Sequence, residues 1–423
     1  MKNFSLPVGW RYVSLLDLVD VIGGVAYNPN DITNKGIRIV RGGNIQDNIV
    51  KLKDDDVYLP LSYKNENNSL YRGDIVLVAS TGSVEALGRT ATVWEDMKDV
   101  QIGAFLRILR PKQKQYAAFI SAWLSSEHYL KYIKQVAKGT SINNIGQTHL
   151  QGFKIPIPLE SEIDSISHVY SSLSNKIALN RAINRNLEAL AKQLYDYWFV
   201  QFDFPDENGR PYKSSGGKMV WNEVLKREVP EGWICKTINE IESCIITGKT
   251  PPTADEMNYG GTIPFITIDD IRQSLFVYST ERTLSKKGAD SQMKKYLPKG
   301  SLCCSCIGTV GIIGFVGKKS QTNQQINSII FHEDFHRVFL FFSLKMYFQY
   351  ANAKTGNILS NMNKEEFSAI KMLYPSINLL KSFHNFVMPL FQQIDSNIIE
   401  LQCLTKQRDE LLPLLMNGQV TIE

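Results

Sequence analysis

The chain is short of the residues that would commit it to a special class. Six cysteines in 423 residues are too few and too scattered to be a disulfide scaffold. No apolar run approaches the roughly 18 to 20 residues that span a bilayer, so no membrane partner is expected. The opening Met1-Lys2-Asn3-Phe4-Ser5-Leu6-Pro7 lacks the continuous apolar core of a signal peptide. These absences together read as a cytoplasmic protein with free thiols. With 43% hydrophobic and 21% charged residues the composition is that of a folded globular protein, which excludes disordered and collagen-like classes. The net charge of +5 is too mild to name a nucleic-acid partner by itself.

Catalytic signatures are also missing. Six scattered histidines form no Ser/His/Asp or Cys/His grouping. Gly248-Lys249-Thr250 resembles the tail of a phosphate-binding loop. Ser243, however, stands where that motif needs its first glycine, and Pro251-Pro252 replaces the helix that would hold the phosphate. Cys303-Cys304-Ser305-Cys306 has no second Cys or His pair at ligand spacing, and alternation of Cys303 and Cys304 across a buried strand explains it better than zinc. No nuclease-type Glu-x-Lys or Asp-x-Lys follows Pro205-Asp206 closely, and no Asn/Asp-Pro-Pro-Tyr motif or glycine-rich cofactor strand is present. No metal, cofactor or catalytic residue is therefore expected.

What the chain does have is an internal repeat. Pro7-Val8-Gly9-Trp10 recurs as Pro230-Glu231-Gly232-Trp233, 223 positions on. Asn44-Ile45 matches Asp270-Ile271, Arg72-Gly73-Asp74 matches Lys299-Gly300-Ser301, and the glycines Gly82 and Gly88 match Gly308 and Gly314. Lys138-Gly139-Thr140-Ser141-Ile142-Asn143-Asn144-Ile145 matches Thr355-Gly356-Asn357-Ile358-Leu359-Ser360-Asn361-Met362 at offset 217, and the run Phe153 to Pro158 matches Ile370 to Pro375. Each copy is a module of about 155 residues followed by a helix of about 40.

Within the modules, Ile37–Arg41, Asp74–Ala79, Gly261–Ile266 and Ser301–Cys304 read as strands bounded by glycine. Gln115–Ala137 and Phe335–Asn352 read as helices. Ser80-Thr81-Gly82-Ser83 and Ile307-Gly308-Thr309-Val310-Gly311 read either as tight turns or as places where backbone approaches a ligand.

After each module a heptad pattern begins. One row holds Ile166, Leu173, Asn180, Leu187 and Leu194, and its companion holds Ile163, Tyr170, Ile177, Asn184, Ala191 and Trp198. The second copy gives Phe383, Leu390, Asn397, Leu404 and Leu411, with Leu380, Val387, Ile394, Leu401 and Leu415 beside them. Such rows argue for a coiled-coil seam, in which Asn180 and Asn397 would fix register by bonding each other or a partner helix. Pro389 and Pro413 should kink the second helix or mark a helix start. Residues 202–228 have the Gly, Pro, Ser and Asn content of a linker. The charge is uneven as well: residues 101–155 carry eight basic side chains and one acid, Glu127, enough for a phosphate-facing surface.

The run Phe202-Asp203-Phe204-Pro205-Asp206-Glu207-Asn208-Gly209-Arg210-Pro211-Tyr212 to Trp221, the Pro-x-Gly-Trp openings and the Ile-Pro-Ile-Pro exit at 155–158 resemble the specificity (S) subunits of type I restriction-modification systems. The resemblance covers essentially the whole chain. It implies an α+β fold: two mostly-β target-recognition modules joined by two long antiparallel coiled-coil helices about a pseudo-two-fold axis. The implied boundaries are 1–158 and 229–375 for the modules, 159–201 and 376–423 for the spacer helices, and 202–228 for the central region. The implied partners are double-stranded DNA, two methyltransferase (M) subunits and motor-nuclease (R) subunits. The chain itself would be the non-catalytic subunit of an endonuclease and adenine-DNA methyltransferase complex, reading a bipartite target.

On this reading the DNA-facing residues are expected at Arg41, Gly43 and Asn44, at Lys131, Lys134 and Lys138, and at Thr140, Ser141, Asn143 and Asn144. In the second copy they are expected at Asp270, Arg272, Asn357, Ser360 and Asn361. Arg and Asn carry donors suited to G and A edges. A competing reading, a coiled-coil adaptor that does not read DNA, explains the helices but leaves the basic stretch without a purpose.

Overall fold

Each Pro-x-Gly-Trp segment folds into a turn that starts its module. The Trp10 amide donates to the Pro7 carbonyl (3.1 Å) and the Trp233 amide to Pro230 (3.2 Å). The glycines between them sit at φ +88° and +83°, a conformation a side chain would strain. The strand that follows pairs antiparallel with the strand that closes the same module: Arg11–Ser14 with Lys154–Ile157, and Ile234–Thr237 with Lys371–Tyr374. The opening motif and the Ile-Pro-Ile-Pro exit are thus two halves of one clasp. The computed structural model describes all residues except 1–5, 47, 54, 84, 138–142, 224–225, 356–360, 417 and 420–423.

The chain divides into two units, Met1–Ala178 with Cys403–Glu423, and Leu179–Gln402. In the first, one sheet runs Thr90–Thr92, Ile75–Val78, Leu106–Pro111, Val19–Gly23. A second runs Val57–Leu59, Ile37–Val40, Met97–Ile102, Ser69–Leu70, with its middle pair parallel. In the second unit a five-stranded sheet has Leu302–Ser305 at its centre, between Ile326–Ile329 and Ile313–Val316, and Tyr259–Ile266 pairs with Thr283–Leu284 and Gln321–Thr322. Ile75–Val78 and Leu302–Ser305 are buried at every position. Cys303 and Cys304 point into separate apolar clusters on opposite faces of that strand, the alternation the sequence suggested.

The helix expected over Gln115–Ala137 is two helices, Ala117–Leu124 and Glu127–Val136, because Ser126 caps the second by accepting from the Tyr129 amide (3.2 Å). Its repeat partner is one helix, His336–Thr355. The central region is less linker-like than its composition suggests, since it contains the hairpin Met219–Asn222 with Arg227–Pro230. Two of the scattered histidines do converge: buried Glu242 accepts from the rings of His332 and His336, and His336 also meets the Tyr374 hydroxyl at 2.9 Å. This network ties three segments of the second module together.

The long helices are Glu160–Tyr195, continued by a wider turn over Asp196–Val200, and Ile377–Met416. In the first unit Ile163, Ile166 and Tyr170 share a buried cluster with Leu412, Leu415 and Met416. In the second unit the Asn180 amide donates to Glu400 (2.7 Å) and the Asn397 amide to Asn184 (2.8 Å). Pairings that fall from 400 to 397 as they rise from 180 to 184 make the two segments antiparallel. The two asparagines, each buried, bond the facing helix and not one another.

Three expectations for these helices are corrected. First, the buried row is not a strict heptad seam. Between Ile377 and Gln402 the buried apolar positions are Leu380, Phe383, Val387 and Ile394 on the expected rows, with Phe391 and Ile398 off them, a 3.6-residue stripe, because the helix lies against a module and not only against another helix. Leu390 is therefore only half-buried, as are Leu173, Leu187, Leu194 and Leu404, whereas Ile177 and Ile394 are buried. Second, Leu411 is exposed and its neighbour Leu412 is buried, while Leu415 is buried as its row requires. Third, neither Pro389 nor Pro413 marks a helix start, since one helix spans both. Both prolines are exposed, as are Asn385 and Asp409 one turn back, so the carbonyls they deprive of a donor meet water.

Phe391→Ala should cost about 3 to 5 kcal/mol and Leu411→Ala less than about 0.5 kcal/mol. Urea unfolding of the two variants checks this, and a heptad seam predicts comparable losses.

Candidate nucleic-acid interface

In each module several loops hang from the residue that follows the central strand. In the first module this residue is Ala79. Its amide donates to the Phe105 carbonyl (3.1 Å) and its carbonyl accepts from the Ile145 amide (2.8 Å). In the second it is Cys306, which donates to Gln325 and accepts from Met362, both at 2.7 Å. The segments Asn143–Asn144 and Asn361 are thereby laid beside Ser80–Thr81 and Ile307. Asn144 and Asn361 are exposed, and the residues after them, Ile145 and Met362, are buried. The backbone of Asn143 pairs with Thr81. Lys138, Thr140, Ser141, Asn357 and Ser360 lie outside the described residues.

A third loop joins each set, and sequence reasoning missed it. Residues 103–105 in the first module and 323–325 in the second connect equivalent strands. The Leu106 amide returns to the Gly103 carbonyl and the Ile326 amide to Asn323. The Gly24 and Gly248 backbones press so closely on these loops that a Cβ would lie 2.1 Å from the carbonyl oxygens of Gly103 and Asn323. That close approach, not phosphate binding, accounts for the glycine of Gly248-Lys249-Thr250. The signal available in the sequence was the amide run Asn323-Gln324-Gln325. Phe105 sits between Ile102 and Leu106 and reads as core, yet it is 68% exposed.

The fourth loop holds Arg41–Asn44 and Thr267–Arg272, and here two expectations fail. Asn44 is buried. Its side-chain oxygen accepts from the Arg41 amide (2.8 Å), and its nitrogen donates to the Lys51 carbonyl (2.8 Å) and to Asp56 (2.6 Å). Asp270 is buried at the matching place, accepting from the Thr267 amide (2.8 Å) and hydroxyl (2.7 Å). Both side chains hold their loop shut from within, so neither is placed to meet a base edge. The repeat preserved them as caps. Their neighbours remain outside: Arg41 is exposed and donates to the Asp55 carbonyl, and Gly43 lies near the Lys53 ammonium. Arg272 is exposed and bridges Asp269 (3.2 Å) and the Thr309 hydroxyl (2.8 Å), which joins this loop to the glycine segment 307–311.

The glycine correspondence also shifts. Gly88 sits at φ +80°, donates to Val78, and a Cβ there would lie 2.8 Å from Ile133. Its structural partner is Gly311, at φ +90°, donating to Ser305 and facing Phe348 in the same way. Gly314 instead lies in a strand opposite Cys303. The loop before the turn is shorter in the second module, which misled an alignment at constant spacing.

The basic stretch is partly neutralised. Arg110 makes two hydrogen bonds to the Asp74 carboxylate at 2.8 Å, and Arg107 spends one nitrogen on the Ala104 and Leu106 carbonyls. Lys131 pairs with Glu127 (2.8 Å) and Lys134 with Glu85 (3.5 Å), all four on the surface. The Lys131 pairing holds the Glu127 carboxyl below its ordinary range. Exposed pairs of this kind contribute little and exchange readily for a phosphate.

The comparisons with known proteins agree with this layout. The profile described as the Type I restriction modification DNA specificity domain matches residues 7–189 and again 230–400. The chain is 31% identical to the type I restriction enzyme HindI specificity subunit of Haemophilus influenzae, over 79% of this chain and 84% of that one. It is 24% identical to the MjaIX specificity subunit of Methanocaldococcus jannaschii, over 75% and 72%. The crystal structure of the S subunit of a type I restriction-modification system from M. genitalium shares the fold, with a TM-score of 0.59 at 17% identity over 98% of this chain and 97% of that one.

Asn44→Ala and Asp270→Ala should each destabilise the protein by about 1 to 3 kcal/mol, because they remove the buried caps that accept from the Arg41 and Thr267 amides. Asn144→Ala and Arg272→Ala should leave thermal stability nearly unchanged and weaken DNA binding. Differential scanning fluorimetry beside fluorescence anisotropy separates the two classes.

Proposed function

The chain belongs to the family of type I restriction-modification DNA specificity subunits, and from that premise we propose how its parts divide the reading of a bipartite target. The adaptor alternative falls with the family assignment, since both matched segments are DNA specificity domains. Module 1–158 reads one half-site and module 229–375 the other, each through the four loops around Ala79 or Cys306. The observation that carries this reading is the recurrence of the same backbone hydrogen bonds under different side chains: a common frame with two different faces.

Bases are read by Asn143, Asn144 and Asn361 with the exposed Arg41 and Arg272, and Gly43 lets backbone come close. Thr140, Ser141, Asn357 and Ser360 belong to the same segments. Lys131, Lys134 and Lys138 meet phosphates, which position the module without specifying sequence. The chain brings no catalysis of its own. Methylation comes from two M subunits seated on the spacer helices 159–201 and 376–423, with the central region 202–228 between the modules, and cleavage comes from R subunits. The purified chain alone neither cleaves nor methylates DNA.

Reversing two charges, Lys131→Glu with Lys134→Glu, should weaken binding to cognate and unrelated duplexes alike. It should flatten the dependence of log K on log salt by up to about two. Anisotropy titrations over a salt series check this, and an unchanged slope removes the lysines from the interface.

The helices set the gap between half-sites. Their paired asparagines fix register, as a polar residue in a helix seam does. Seven residues inserted after Leu187, with seven more after Gln393 to match, should lengthen the spacer by roughly 10 Å, about three base pairs at 3.4 Å each. Methylome sequencing should then find both half-sites unaltered and the gap widened. An active complex that keeps the original gap would refute the helical ruler.

A further inference from the structure

Phe105 is the largest apolar side chain on the recognition loops of the first module, and it is held there deliberately. It is 68% exposed. Its carbonyl accepts from both the Ala79 amide (3.1 Å) and the Ser80 amide (3.0 Å), and the Leu106 amide closes the turn onto Gly103 at 2.9 Å. One nitrogen of Arg107 donates to the carbonyls on either side of Phe105, Ala104 at 2.8 Å and Leu106 at 2.7 Å. Five hydrogen bonds therefore pin a turn whose tip is a benzyl group in water. Leu106 beside it is fully buried, so the chain turns one apolar side chain into the core and the next out into water. A rigid aromatic on a surface otherwise built of Ser80, Thr81 and Asn144 is a contact residue for something apolar within a polar partner.

Duplex DNA has few apolar features. Phosphates and sugars face outward, the minor-groove edges offer only donors and acceptors, and the major groove carries one apolar group, the C5-methyl of thymine. We propose that Phe105 is a specificity-determining residue that packs against a thymine methyl in the half-site read by the first module. The proposal deepens, and rests on, the reading of that module as a DNA reader. The second module supports the assignment by contrast. Its matching residue is Gln325, whose amide and side chain are engaged by Asn323 (3.1 and 3.0 Å), so the same place in the frame presents hydrogen-bonding groups there and an apolar one here. Equivalent positions would read different chemistry on two half-sites.

The test uses the chain assembled with its M subunits and a cognate duplex known from methylome sequencing. Each thymine of both half-sites is replaced in turn by deoxyuridine, which removes only the methyl. The wild-type complex should lose about fourfold in affinity at one thymine of one half-site, the effect of a single buried methyl. Phe105→Ala should bind the parent duplex about fivefold to twentyfold more weakly and be indifferent to deoxyuridine at that thymine, while Phe105→Leu retains the sensitivity. Unchanged melting temperatures would exclude a folding defect. Identical deoxyuridine profiles for wild type and Phe105→Ala overturn the proposal, as does a first half-site without thymine on either strand. If the wild-type complex fails to distinguish the cognate from a scrambled first half-site, the DNA-reading assignment of the module fails, and the proposal with it.

Discussion

A fully buried strand must end somewhere, and its last backbone groups must still find partners. Ile75–Val78 and Leu302–Ser305 are flanked by strands on both sides and buried throughout. Leaving the amide and carbonyl of the next residue unpaired would cost about as much as a lost hydrogen bond at each group. Ala79 and Cys306 solve this by donating to one later loop, at Phe105 and Gln325, and accepting from a second still further along the chain, at Ile145 and Met362. The whole loop cluster follows from that need. Because only main-chain atoms are used, the side chains above are free to differ, and a frame that is fixed by backbone chemistry can carry two unrelated reading faces.

The same logic separates what was legible in the sequence from what was not. The clasp was legible, since a positive-φ glycine before a tryptophan and a proline-spaced exit are local chemistry. So were the strands, where buried aliphatic runs meet glycine. Asn44 and Asp270 were found for the right reason and given the wrong role. A polar residue repeated at one position in two copies signals a constraint, but a one-dimensional match does not say whether the side chain faces water or caps its own loop. The pairing of Gly88 with Gly314 failed because loops change length while turns keep their hydrogen bonds, and Gly311 inherits the bond. Phe105 was hidden because an aromatic beside leucine and isoleucine reads as core, and only its place at the tip of a turn exposes it.

The spacer helices show where periodicity misleads. Leucines at seven-residue spacing predict a seam, and Leu380, Phe383, Val387 and Ile394 are buried on its rows, but Phe391 and Ile398 are buried one place beyond Leu390 and Asn397, as in an undistorted helix. A coiled coil must supercoil to keep its seam in contact with one partner, whereas a helix that also lies on a module has no such need. The polar part of the coiled-coil reading is kept beside these apolar positions. Asn180 with Glu400 and Asn184 with Asn397 are bonded across the facing helices. A slip of one residue would leave buried amides unpaired, at about 1 to 3 kcal/mol each. Register is therefore set by a few polar bonds while stability comes from the apolar stripe around them.

Charge followed a similar division. Eight basic residues within 101–155 looked like one surface, but Arg110 is consumed by Asp74 and Arg107 by the turn that carries Phe105. A guanidinium that holds two carbonyls fixes the turn and makes the neighbour between them rigid. Rigidity counts here because an ordered contact forfeits less conformational entropy on binding than a mobile one. The lysines are the opposite case. Lys131 and Lys134 stand in solvent-exposed pairs that cost little to exchange for phosphates, so they lend attraction without direction. Such a module would anchor its proposed base-facing groups on a bonded frame and leave its positive charge loose, the division that non-specific attraction followed by a specific fit requires.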